Sequence, residues 1–191
     1  MKNILSCAAM LICMVVSGAQ ATHAAVVGFT GDFAPGNWTT TLNGGDGYVN
    51  TSNAPTSVVI ASANNGDSLL RNTDFSIAMP FNGAISFDWS FTTSDGASFD
   101  PFLVGIDGVY TQLTNGSGPQ SQSGSYSVSL LAGQVFTLRA NTVDSGVGRS
   151  ETTVSNFMAS NFMAVPEPTS MAIFGLGTLG MAYRSRRKSK A

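Results

Sequence analysis

Between Ala25 and Val165 the chain holds no cysteine, no histidine and no lysine. The missing cysteines exclude a disulfide from that stretch. Without cysteine or histidine it cannot build a Cys/His zinc site, nor run Ser-His-Asp or Cys-His catalysis. The two cysteines, Cys7 and Cys13, and the one histidine, His23, all lie at the start of the chain. Charge is scarce as well, at 10% of the 191 residues, against roughly 25% in an average globular protein. Basic charge is scarcest. Arg71, Arg139 and Arg149 face ten acids across Ala25 to Val165, leaving that stretch at −7 while the whole chain stands at −2. Such a surface repels phosphate backbones, so no nucleic-acid partner is expected.

The ends differ from the middle. Lys2 is followed by an apolar run from Ile4 to Val16, broken only by Ser6. Small residues come next, and Ala19-Gln20-Ala21 fits the A-x-A cleavage pattern, with Ala24 as the second candidate. Residues 1–24 therefore read as a secretory signal. At the other end Pro166-Glu167-Pro168 stops any preceding strand or helix. The stretch from Met171 to Tyr183 carries no charge, and Arg184, Arg186, Arg187, Lys188 and Lys190 follow. Thirteen helical residues cover about 20 Å of a hydrocarbon core roughly 30 Å thick, a marginal span. Basic flanks stay cytoplasmic, which places the middle of the chain outside the cell, as the signal also does. Gly175-Leu176-Gly177-Thr178-Leu179-Gly180 satisfies G-x-G-x-x-G, but no strand precedes it and only eleven residues follow. Close packing of membrane helices is the reading that fits these small residues.

Taken in order, Val165-Pro166-Glu167-Pro168, a short apolar helix over 169–183 and a basic tail over 184–190 resemble the PEP-CTERM sorting tail. The resemblance covers residues 165–191. It implies recognition of Pro166, Glu167 and Pro168 by an exosortase, a transpeptidase-like membrane enzyme. It also implies surface display or release, in bacteria that make extracellular polysaccharide.

Residues 25–164 read as strand after strand. Ile85, Phe87, Trp89 and Phe91 alternate with Ser86, Asp88, Ser90 and Thr92. Val58 and Ile60, then Phe75, Ile77 and Met79, then Tyr126, Val128 and Leu130, then Phe136, Leu138 and Ala140 repeat the pattern. Asp107-Gly108 between apolar runs predicts a type I′ hairpin. Ala132-Gly133 predicts another turn, and Asn115 to Gly124 a longer loop. Nine or ten short strands, each apolar on one face, predict an all-β fold: an antiparallel β-sandwich of jelly-roll type. The segments Phe33-Ala34-Pro35-Gly36-Asn37-Trp38-Thr39, Phe87-Asp88-Trp89 and Phe99-Asp100-Pro101-Phe102 are similar to jelly-roll-like modules of secreted bacterial proteins.

Three constellations are candidate sites. Asp88, Asp95, Asp100 and Asp107 cluster around strand ends, and Asp95 and Asp100 are the expected ligands if calcium binds. Turn aspartates give the same pattern with no metal. Among Trp38, Trp89, Tyr48 and Tyr110, Trp89 is in phase with the core, which leaves Trp38 as the expected sugar platform. Glu151, beside Arg149 in an expected polar loop, is the only glutamate available to a glycoside-hydrolysing pair. The leading expectation is a non-catalytic, membrane-anchored surface protein associated with extracellular polysaccharide. A calcium-assisted carbohydrate-binding module and a glycan-active enzyme are the alternatives.

Overall fold

The computed structural model describes residues 25–161. The signal-like start and the tail, with Pro166, Glu167, Pro168, Arg184, Arg186 and Arg187, lie outside the described residues. Eleven strands follow in order: β1 (Val26–Val27), β2 (Thr39–Thr41), β3 (Tyr48–Asn50), β4 (Ser57–Ala61), β5 (Arg71–Ala78), β6 (Gly83–Thr93), β7 (Phe102–Ile106), β8 (Val109–Gln112), β9 (Ser121–Leu130), β10 (Val135–Thr142) and β11 (Ser150–Asn161). Two 3-10 turns, Gly31–Phe33 and Pro35–Asn37, separate β1 from β2.

The strands form two antiparallel sheets. One runs β3-β4-β11-β6-β9, with β1 also on β11; the other runs β2-β5-β10-β7-β8. Strand β4 pairs β11, β5 pairs β10, β6 pairs β9 and β7 pairs β8. That nested pairing, with the partners dealt alternately to two sheets, is a rolled-up hairpin: the jelly roll that the alternating pattern predicts. Sheet pairing needs one apolar face per strand, and the core supplies it. Ile85, Phe87, Trp89 and Phe91 of β6 face Phe75 and Ile77 of β5, Phe136 and Leu138 of β10, and Phe102 and Val104 of β7. All are buried.

The Asp107-Gly108 turn joins β7 to β8 with φ of 50° and 83°, as a type I′ turn requires. The Asp107 carboxylate also accepts the Val135 N–H at 2.8 Å and the Gln134 amide at 2.9 Å. Those bonds hold its pKa below the ordinary range. Two expectations need correction. Ser121 to Gly124 are not loop but the first residues of β9. Glu151 is not in a polar loop but in β11, at twelve residues the longest strand. In both places the outward residues are serine or threonine, whose polarity hides the strand signal.

Candidate functional site

Trp38 is corrected first. It is 7% exposed, not a surface platform. The Gly31–Phe33 and Pro35–Asn37 turns fold the chain under the sandwich before β2 begins. There the Trp38 ring stacks on Phe75 at 4.5 Å and 11°, and meets Phe136 and Phe157 edge-on. Its Nε1–H donates to the Phe33 carbonyl at 3.0 Å.

Asp95 and Asp100, the expected calcium ligands, are placed close together but do different work. Asp100 is 1% exposed. Its carboxylate accepts the Ser62 hydroxyl at 3.1 Å and the Thr93 hydroxyl at 3.0 Å, and the Thr142 hydroxyl bonds to it as well. Each of those oxygens is itself an acceptor: from Ser150 N–H at 2.8 Å for Ser62, Asp95 N–H at 3.1 Å for Thr93, and Ser145 N–H at 3.0 Å for Thr142. A hydroxyl that accepts from an N–H has its single proton free for the carboxylate. Asp100 thus gathers three backbone segments through three relays, and its oxygens are spent internally. Burial pushes its carboxyl above the ordinary range, with Thr93, Thr142 and Ser62 pulling the other way. Asp95 accepts from the Gly96 N–H at 2.6 Å. Among the described residues no group of three or more His, Cys, Asp or Glu side chains is placed to hold a metal ion.

The outer sheet faces remain. On the five-stranded sheet Tyr110 lies over Gly105, where a Cβ would meet its ring at 2.5 Å. The Arg139 guanidinium sits 3.7 Å from the ring centre and donates from Nε and Nη2 to the two Asp74 oxygens at 2.6 and 2.7 Å. That set is closed on itself. On the six-stranded sheet, register sets Ser125 and Ser155 on either side of Asp88, and Ser127 and Met158 on either side of Ser86. Between Ser155 and Met158 the register of β11 slips. Asn156, with φ of 50°, turns outward and donates to Asp88 Oδ2 at 2.8 Å, while Phe157 turns into the core. The slip opens a shallow groove of about 350 Å³ lined by Ser86, Asp88, Ser125, Ser127, Asn156 and Met158, with Phe87 and Tyr126 at its floor. A bulge that re-aims side chains in this way is a common device beside binding sites. Further along the same face, Tyr48 donates its hydroxyl to Glu151 at 2.5 Å, and Arg149 lies 5.4 Å from the Tyr48 ring centre. The bond to Glu151 raises the Tyr48 pKa.

The groove was open to one sequence signal. Thr152 and Val154 face inward, and so do Phe157 and Ala159. The step from Val154 to Phe157 breaks the two-residue period, and such a break marks an inserted residue.

Residues 164–188 match the model of the PEP-CTERM protein-sorting motif. The chain carries a PEP-CTERM sorting tail. That tail marks an exported protein, anchored through its C-terminus and handled by an exosortase, and its place is the surface or the medium. Among the described residues no helix is long and apolar enough to cross a membrane. No curated protein matches the chain. The domain is similar to several solved structures. The K1 cleaved adhesin domain of Lys-gingipain from Porphyromonas gingivalis W83 is 14% identical, with 74% of this chain and all of that one covered at a TM-score of 0.47. TmCBM61, solved with β-1,4-galactotriose, is 14% identical over 70% of this chain and 94% of that one, at 0.38. A family 35 carbohydrate-binding module from Clostridium thermocellum is 11% identical over 69% and 98%, at 0.35.

Proposed function

We propose that this PEP-CTERM protein is a non-catalytic surface domain that contacts extracellular polysaccharide through the outer face of its six-stranded sheet. The groove at the β11 bulge carries the reading. It offers three serine hydroxyls, a carboxylate oriented by an amide, and the half-exposed Met158 thioether against which the apolar face of a sugar ring can rest. Polyhydroxy ligands are recognised by such mixed sets of donors, acceptors and apolar contact. The secretory reading of residues 1–24 and the sorting tail agree with an extracellular ligand.

The spacing of carboxylates supports binding without turnover. A glycosidase pair stands about 5 to 9.5 Å apart. Asp88 has serines as both register neighbours. Glu151, on the same face, is opposite Thr92, four residues along β6 from Asp88, or about 13 Å of strand. Glu151 is also occupied by Tyr48.

Co-sedimentation with the producing cell's own polysaccharide tests this. Asp88→Ala removes an acceptor and leaves Asn156 unpartnered, so binding is expected to weaken about tenfold. Ser86→Trp fills the groove and is expected to abolish binding. Both variants should melt with the parent chain, and no new reducing ends should appear in any mixture. Undiminished binding by Ser86→Trp would refute the assignment of the groove.

A further inference from the structure

Among the described residues four strands end the main paths of the two sheets, and the two-residue β1 is a further short edge on β11. Strands β2 and β3 have three residues each, β8 has four, and β9 has ten. A long edge presents a row of unpaired N–H and C=O groups, and proteins blunt such edges by shortness, lysine, proline or inward charge. The first three edges are short. The fourth carries none of these devices: Ser121–Leu130 contains no charged residue and no proline.

The sequence of that edge is symmetric. Its outward residues are Ser121, Ser123, Ser125, Ser127 and Ser129, centred on Ser125. We propose that β9 pairs antiparallel with β9 of a second copy about a two-fold axis through Ser125, joining two six-stranded sheets into one. A two-fold interface requires a self-complementary patch, and this strand has one. Ser121 meets Ser129 of the other copy, Ser123 meets Ser127, and Ser125 meets itself, with hydroxyl bonds across each pair.

Charge selects a copy of the same chain. The domain carries three arginines against ten acids, so most surfaces of two copies repel. The β9 edge is neutral. The two Asp88 groups each lie one strand in from the edge, level with Ser125. Three strand spacings, about 14 Å, separate them, more than the screening length of about 8 Å at physiological salt. Ser125 and Ser127 also line the groove, so the joint sets two grooves side by side, and the cross-link reads pairing whether or not polysaccharide binds.

Ser125→Cys in the full chain supplies the test. Residues directly opposite in an antiparallel pair are about 4.5 to 5.5 Å apart at Cα, within disulfide range. Cys7 and Cys13 are the only other cysteines, and the parent chain run in parallel accounts for them. On mild oxidation Ser125→Cys is expected to give a species of twice the monomer mass that returns to monomer on reduction. Ser90→Cys, on the neighbouring strand β6, should give none. By sedimentation the parent should be a dimer, and the Ser123→Lys, Ser127→Lys double variant a monomer with the parent's far-UV circular dichroism spectrum. A parent that sediments as a monomer would overturn the proposal. So would a dimer that Ser125→Cys fails to cross-link, or a cross-link to a different protein.

Discussion

Trp38→Ala lowers the unfolding free energy by about 3 to 5 kcal/mol, the range for emptying a buried aromatic site. In folded-to-unfolded ratio that is a loss of about 150-fold to several thousandfold. The size follows from what the ring does. It stacks on Phe75, closes one end of the sandwich against Phe157 and Phe136, and satisfies the Phe33 carbonyl with its indole N–H. Alanine leaves a void among Phe29, Phe75, Phe136 and Phe157 and strands that carbonyl away from water. Trp38→Phe retains the stacking but not the hydrogen bond, and costs about 1 to 2 kcal/mol. Urea unfolding monitored by far-UV circular dichroism measures both. The same variants separate core from platform. Polysaccharide binding by Trp38→Phe, scaled to the folded fraction, is expected to equal that of the parent. A selective loss of binding in a fully folded Trp38→Phe protein would return Trp38 to the surface role.

Asp100→Ala is comparably costly, about 3 to 5 kcal/mol. Three hydroxyl donors lose their shared acceptor at once, and each continues to accept a backbone N–H, so none can turn away without breaking a second bond. The loops after β4, β6 and β10 are tied together by this one group. Its titration has a definite sign. Burial raises the Asp100 pKa above the ordinary 3.8. A raised folded-state pKa means that the group's contribution to stability is full below about 3.8 and is lost as pH rises through the raised value. The stability difference between the parent and Asp100→Asn, which does not titrate, should therefore favour the parent most near pH 3 to 4 and shrink toward neutrality. Asp67 and Asp107 have lowered values, through Arg71 for the one and the Val135 N–H for the other, and act in the opposite sense. Taking the difference between parent and variant removes them. A difference that grew toward neutral pH would contradict the assignment.

The jelly roll was legible because strand β6 keeps a strict period of two and its neighbours keep it over shorter runs. Ile85, Phe87, Trp89 and Phe91 announce β6, and Asp107-Gly108 announces the β7–β8 hairpin. Strands β2 and β3 were not legible, since three polar-flanked residues carry no period. The Asp100 hub was illegible for a different reason. Thr93 and Asp100 are seven residues apart, but Ser62 and Thr142 are distant in the chain and reach them only because the roll brings three loops to one end. Asp100 in sequence is one aspartate among many beside a proline. Trp38 misled because a tryptophan after Gly36-Asn37 reads as a turn residue. The two 3-10 turns that tuck it under the core depend on Phe29, Phe33 and Phe157 waiting there. The groove lay between these extremes: the phase break at Asn156 is visible in the sequence, while its bond to Asp88 on the neighbouring strand is not.

The central claim is that an extracellular jelly roll is delivered by its tail. Intact mass of the protein recovered from the cell surface and from the medium tests it most directly. The account predicts a chain that starts at Thr22 or Ala25 and ends at or near Pro166-Glu167-Pro168, with or without a group attached there. Surface protein whose mass still includes Arg184 to Ala191 would contradict it.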